Sequence, residues 1–301
     1  MLSRVSAKGD DSLREETLKD AVKKLIFKAV VELPEDVKRA IKRAYESEDS
    51  ELARIQLRVI LDNIRLAERE RKPICQDTGV MIFYVDVGAE FPLKDINLER
   101  ILSDAVQEST REIPLRPNAV DPLTRSNPGT NVGPSIPYIN WNVIPGVDYM
   151  LITAVPKGAG SENMSALVEL PPVEGLRGVK AFVLESVIRA GGKPCPPTII
   201  GVGVGGTAPV AMKLADIASL RKIGTRNSDP FIADLERELL EKVNSLGIGT
   251  MGLGGKITAL ALHIERAYTH TASLPVAVRF QCWASRRASL RISKDGVIEY
   301  L

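Results

Sequence analysis

The segment KPICQDTGV, residues 72–80, places a thiol, Cys75, one residue before Gln76 and two before Asp77, at a junction between a charged run and an apolar one. Two further cysteines complete the set: Cys195 within GGKPCPPTII and Cys282 within RFQCWAS. Three widely spaced cysteines, odd in number, do not suggest a disulfide framework, and the plain reading is three buried thiols acting as small hydrophobes. Their neighbours suggest more. Prolines on both sides of Cys195 fix its backbone and remove donors, which suits a rigidly presented thiolate. Closed structural zinc would need a fourth ligand, and no C-x-x-C pair starts such a site. An iron–sulfur cube on three thiolates would leave one iron without a protein ligand, free to bind substrate as a Lewis acid.

Glycine-rich loops are the other candidates. In KGAGSENMSAL, from Lys157, two glycines, Ser161, Glu162 and Asn163 lie between a strand and a helix-like stretch. This loop can hold a small polar ligand, or it is a helix start capped by Ser161. Gly201, Gly203 and Gly206 form G-x-G-x-x-G between a strand pattern and a helix pattern, the context of a dinucleotide fingerprint. The same pattern recurs at Gly247, Gly249 and Gly252, and Lys256 is followed by Ile257, so the second loop is no Walker A. Such loops are either tight turns or places where backbone N–H groups approach an anion. A nicotinamide-dependent oxidoreductase built on GVGVGG, and a non-catalytic metal-binding scaffold, are the alternatives from other classes.

The elements that must position these residues follow from periodicity. Residues 12–70 read as helices, with Leu18, Val22, Leu25, Ile26 and Ala29 on one face and Lys19, Lys23, Lys24 and Lys28 elsewhere, their charges solvated. Pro34 closes that run. A second run carries Leu52, Ile55 and Val59 together with Leu57, Ile60, Leu61 and Ile64. MIFYVDVG, DYMLITAVPKG and PVAVRFQCWAS read as strands. LERILSDAVQESTRE, VKAFVLESVIRAGG, APVAMKLADIASL and SDPFIADLERELLEKVNSLG read as helices, the last capped by Ser228 or Asp229 and ended at Gly247. ITALALHIERA reads as a helical stretch in which His263 is structural. Strands and helices alternate without a Ser/Pro-rich linker, so the expectation is one mixed α/β (α+β) domain over 1–301. It has a mainly helical section, 1–72, and a mixed-sheet body, 73–301, that would hold the cluster.

The composition excludes several classes. Of 301 residues, 44% are hydrophobic and 26% charged, with a formal net charge of +2, so nothing asks for nucleic acid. No apolar run approaches the roughly 18–20 residues of a membrane span, and MLSRVSAKGDDSLREE turns acidic too early for a signal or transit peptide. A soluble cytoplasmic protein is expected.

KPICQDTG, RPNAVDPLTRSNPGTNVGP, KGAGSENMSAL, GGKPCPPTIIGVGVGG and THTASLPVAVRFQCWASRRA together resemble the class I (iron–sulfur) fumarate hydratase and L-tartrate dehydratase family, specifically its alpha-type catalytic subunit. The resemblance spans essentially the whole chain. It implies an oxygen-sensitive [4Fe–4S] hydro-lyase with Cys75, Cys195 and Cys282 as cluster ligands. Asp77 then acts as acid or base toward the substrate hydroxyl. Gln76, Arg116, Gly158 and His270 bind the small dicarboxylate substrate, Arg116 through its guanidinium. Single-chain members continue into a C-terminal domain that carries the group taking the C3 proton, whereas this sequence stops at Leu301. The resemblance therefore implies a separately encoded beta-type subunit that completes the site, in an α2β2 hetero-oligomer. Fumarate hydration to (S)-malate is the expected reaction, with tartrate dehydration to oxaloacetate as the alternative.

Overall fold

A computed structural model describes residues 15–93 and 96–301. The expected helix start at residues 12–14, the rest of the N-terminal segment, Lys94 and Asp95 lie outside the described residues. In chain order the elements are α1 (Glu15–Val31), α2 (Glu35–Ser47), α3 (Glu51–Glu70), β1 (Val80–Gly88), α4 (Leu98–Glu112), β2 (Tyr138–Ile144), β3 (Tyr149–Lys157), α5 (Ala159–Glu162), β4 (Ala166–Leu170), α6 (Gly175–Ala190), β5 (Thr198–Val204), α7 (Ala208–Leu220), α8 (Pro230–Ser245), β6 (Ala259–Arg266), β7 (Leu274–Gln281), β8 (Ala288–Ser293) and β9 (Ile298–Tyr300). The fold is mixed α/β, with the strands divided between two mixed sheets. Two compact units carry them, one formed by residues up to Pro34, Ile64–Gly158 and Arg286–Leu301, the other by Glu35–Asn63 and Ala159–Ser285.

In the first unit the sheet runs β2-β1-β3-β8-β9. Along β1, buried residues alternate with half-buried ones, so Met81, Phe83 and Val85 share one face. That face packs with Met150, Ile152 and Leu290 against Leu18, Val22, Leu25 and Ile26 of α1 and Leu102 of α4. The apolar stripe read along α1 is thus its core face. The lysines on α1 are not simply solvated. Lys19 and Lys23 each reach Glu108 of α4, at 2.8 and 2.9 Å, and tie the two helices together above their apolar contact. α4 begins where Asn97 Oδ1 accepts the Arg100 N–H at 3.1 Å.

The second unit contains the sheet β4-β7-β5-β6, with β5 parallel to β6 and antiparallel to β7. Helices α6 and α8 supply Val183, Val187, Leu235 and Leu239 to a core with Val202, Val278 and Phe280. Asp229 caps α8 by accepting the Phe231 N–H at 2.9 Å, and Pro230 fills the first turn. Helix α7 lies on β5, and here the G-x-G-x-x-G pattern finds its explanation. A Cβ on Gly201 would lie 2.1 Å from the Ala215 carbonyl oxygen, and one on Gly203 would lie 1.9 Å from that of Ala211. These glycines sit inside the strand and admit the helix backbone. In a dinucleotide fingerprint they would form the loop after the strand, so the nicotinamide alternative loses its basis.

Other expectations need correction. ITALALHIERA is not helical: its Ala259–Arg266 portion is β6. Because β6 is buried on both faces, its apolar run has neither helical nor alternating period. His263 is structural, fully buried with Nδ1 donating to the Ala218 carbonyl at 3.1 Å. On α3 the apolar residues divide: Leu57, Ile60 and Ile64 are buried, whereas Leu52, Ile55 and Val59 are exposed. Among the described residues no helix is long and apolar enough to cross a membrane.

The packing of α7 onto β5 predicts that Gly203→Ala lowers stability by about 1–3 kcal/mol, as overpacking does. Urea denaturation should show a reduced midpoint, and an unchanged midpoint would mean that the helix can shift without cost.

Candidate active site

The register of β1 on β3 brings the first cysteine segment to a fixed place. Val80 pairs with Lys157, so the residues just before β1 face those just after β3. Cys75, Gln76 and Asp77 lie on an irregular bend between α3 and β1. The Asp77 carboxylate folds back on this bend: its Oδ1 accepts the Gly79 N–H at 2.9 Å and the Asn118 side-chain amide at 3.1 Å. Its Oδ2 is turned toward Gly158, where a Cβ would meet that oxygen at 3.1 Å and Arg286 Nη2 at 3.6 Å. One carboxylate oxygen is therefore used for anchoring. The other lies beside Gly158 and the Arg286 guanidinium.

The loop following α4 is clamped onto this corner through its backbone. Thr78 Oγ1 accepts the Arg116 N–H at 3.0 Å and donates to the Arg116 carbonyl at 3.3 Å. Asn131, almost fully buried, accepts the N–H groups of Asn118 and Ala119 through Oδ1, at 2.6 and 3.2 Å. Its Nδ2 donates to the Arg116 carbonyl at 3.1 Å and to Thr110 Oγ1 at 3.2 Å. Asn131 holds φ +57°, a left-handed conformation that asparagine tolerates better than most residues. The result is a fixed Arg116 backbone with an exposed side chain, whose guanidinium can pair with an anion. Gln76 is exposed on the same unit. Further along the loop, Asp121 Oδ1 accepts the N–H groups of Leu123 and Thr124 and the Thr124 hydroxyl, and these bonds pull its carboxyl below the usual aspartate range.

Cys195, Cys282 and His270 belong to the second unit. The Trp283 N–H donates to the Cys195 carbonyl at 3.1 Å, which joins the two cysteine segments through their backbones. None of the three cysteines of the chain is in a disulfide, and all are partly exposed, so none is the fully buried thiol of the plain reading. Cys195 has φ +54°, a conformation that costs about 1–3 kcal/mol for a residue with a side chain and persists only where neighbours enforce it. Thiols outside any disulfide are the kind of donor that an iron–sulfur cluster takes. Within each unit, among the described residues, no group of three or more His, Cys, Asp and Glu side chains is gathered to hold a single metal ion. His270 is exposed on the loop between β6 and β7. Its Nδ1 accepts the Ala272 N–H at 3.1 Å, which puts the proton of the neutral ring on Nε2 and makes that atom an outward donor.

The sequence matches the family described as fumarate hydratase (Fumerase) over residues 19–291. The chain belongs to that family. It is also similar, at 53% identity over 93% of this chain and 99% of the relative, to a protein of Methanocaldococcus jannaschii provisionally named L(+)-tartrate dehydratase subunit alpha. The L(+)-tartrate dehydratase subunit alpha of Escherichia coli (strain UTI89 / UPEC) is 38% identical over 89% of this chain and 88% of the relative. This member of the fumarate hydratase family is accordingly a hydro-lyase.

In this family member the SENM loop is a short helix start that Ser161 does not cap. α5 begins at Ala159, so Ser161 is its third residue, buried and not a cap. The loop is secured by Arg279 of β7, whose Nη1 donates to Glu162 Oε1 at 2.7 Å and to Ser165 Oγ at 2.5 Å, while Nε donates to Asp216 at 2.6 Å. Burial opposes the charge of this guanidinium, and the two carboxylates more than compensate, holding its pKa above the usual value. Asn118, Asn131, Arg279 and Arg286 were not singled out from the sequence. Each lies within a motif that carried the family resemblance, but nothing in its spacing set it apart from its neighbours.

The Asn131 junction generates a stability prediction. Asn131→Ala leaves the Asn118 and Ala119 N–H groups without their acceptor and puts alanine at positive φ, so a loss of about 1–3 kcal/mol is expected in urea denaturation. A variant as stable as the wild type would show that the Arg116 loop is held by other means.

Proposed function

We propose that this chain is the alpha subunit of a two-subunit cytoplasmic fumarate hydratase that reversibly adds water to fumarate to give (S)-malate. A separately encoded beta-type subunit would complete it, in an α2β2 assembly. The observation that carries this reading is the Asp77 carboxylate, anchored through Oδ1 and turned through Oδ2 toward Gly158 and Arg286. The family match and the alpha-subunit names of the relatives support it.

Cys75, Cys195 and Cys282 would hold a [4Fe–4S] cluster, which supplies a Lewis-acidic iron for polarising the substrate hydroxyl. Asp77 accepts or returns the proton of that hydroxyl at Oδ2, while its bonds to Gly79 and Asn118 stop the carboxylate from rotating away. The Arg116 guanidinium binds a substrate carboxylate in a charge-assisted pair, and His270 adds an Nε2–H donor. Gln76 contributes an amide, and Gly158 lets substrate approach the backbone. The group that takes the C3 proton is assigned to the beta subunit, because Asp77 is committed to the hydroxyl.

The relatives' names favour a second reading, dehydration of L(+)-tartrate to oxaloacetate by the same residues. Malate and tartrate differ by one hydroxyl, and the same hydroxyl chemistry serves both.

The test is anaerobic co-expression of the full chain with its beta-type partner, followed by fumarate and tartrate assays side by side. Faster turnover of fumarate is expected, and a preference for tartrate would establish the second reading. In the same preparation Cys195→Ser should lose iron and visible absorbance, whereas full iron content would remove the three-thiolate assignment.

A further inference from the structure

Among the described residues two arginines are buried, and they are satisfied in opposite ways. Arg279, 6% exposed, spends its donors on Glu162, Ser165 and Asp216. Arg286, 3% exposed, lies in the other unit with Asp77 and Gly158, and no protein group accepts from its Nε or its Nη1, although both atoms are buried. A guanidinium does not deprotonate to escape such a position, so its donors call for an acceptor from outside the chain. The neighbouring carboxylate, Asp77, balances charge but already commits Oδ1 to Gly79 and Asn118. Gly158 matters here because of what it lacks. A Cβ at that position would crowd Asp77 Oδ2 at 3.1 Å and touch Arg286 Nη2 at 3.6 Å, so any side chain there would obstruct both groups.

We infer that Arg286 is a substrate-binding residue whose guanidinium receives a carboxylate of the dicarboxylate at the Asp77–Gly158 corner. The inference rests on the proposed hydro-lyase reading and adds to it a second cationic contact besides Arg116. A planar anion fits because the guanidinium presents donors on two edges in one plane, and a carboxylate can take two at once. Placement beside Asp77 has a consequence for orientation: the carboxylate held by Arg286 fixes one end of the substrate, so that its hydroxyl falls to the oxygen of Asp77 that faces Gly158.

The experiment uses succinate, a dicarboxylate with no hydroxyl to eliminate, and the full chain assembled anaerobically. Calorimetry should show succinate binding to the wild type, with Arg286→Lys about 10- to 100-fold weaker because lysine keeps the charge but loses the planar donors. Arg286→Ala should regain affinity when ethylguanidinium is added, a rescue that a purely structural arginine would not show. Arg286→Lys with wild-type affinity for succinate would overturn the inference while leaving the hydro-lyase reading intact. Absence of succinate binding by the wild type would bring down both. If neither variant folds, the Nε–H resonance of Arg286 in ¹⁵N-arginine-labelled wild type decides: it should move on succinate addition, and an unmoved resonance overturns the assignment.

Discussion

The pairing of Val80 with Lys157 is the constraint on which the candidate site depends. Two strands that run antiparallel must bring the start of one beside the end of the other. Here that rule puts the Cys75–Gly79 bend next to Gly158. A slip of one residue would turn every side chain of β1 to the opposite face, burying its half-exposed residues and expelling Phe83 and Val85 from the core. The hydrophobic alternation of β1 therefore fixes the place of a carboxylate that lies outside the strand itself.

What the strands place, a set of short polar contacts makes rigid. Thr78 and Asn131 grip the backbone of Arg116 from two sides, and Asn118 passes the constraint on to Asp77. None of these contacts is strong alone, because each replaces bonds to water. Their effect is to remove the freedom of a long loop that carries an exposed cation. The second unit uses a different device, a buried guanidinium saturated by two carboxylates and a serine, to hold the SENM loop on β7. Taking such a group out of water is costly, so its value lies in fixing geometry more than in stability.

Much of this was legible in the sequence. Helices α4 and α7 follow from periodicity alone, since each buries one face and exposes the other. The helical expectation for β6 fails because burial on both faces erases the alternation that marks a strand, and alanine and leucine then imitate a helix. The glycines at 201 and 203 were visible, but their purpose was not: only the approach of α7 shows that they serve packing. Asn131 and Arg286 could not have been found by spacing. Asn131 meets the Asn118 backbone, and Arg286 comes beside Gly158 and Asp77, only after the chain has folded. The three cysteines stood out from their neighbours, and their exposure agrees with a role outside the cores.

The proposed chemistry requires that Asp77 serve the substrate hydroxyl while taking no part in holding iron. The most direct measurement is the turnover of Asp77→Asn in the anaerobically assembled enzyme, determined in the same sample as its iron and sulfide content. Asparagine keeps the shape and can still accept through its oxygen, but it cannot carry the proton. A fall in rate of about 10²- to 10⁴-fold with full iron content is the predicted result. Near-normal turnover with a fully loaded cluster would contradict the account and reduce Asp77 to a residue that shapes the bend before β1.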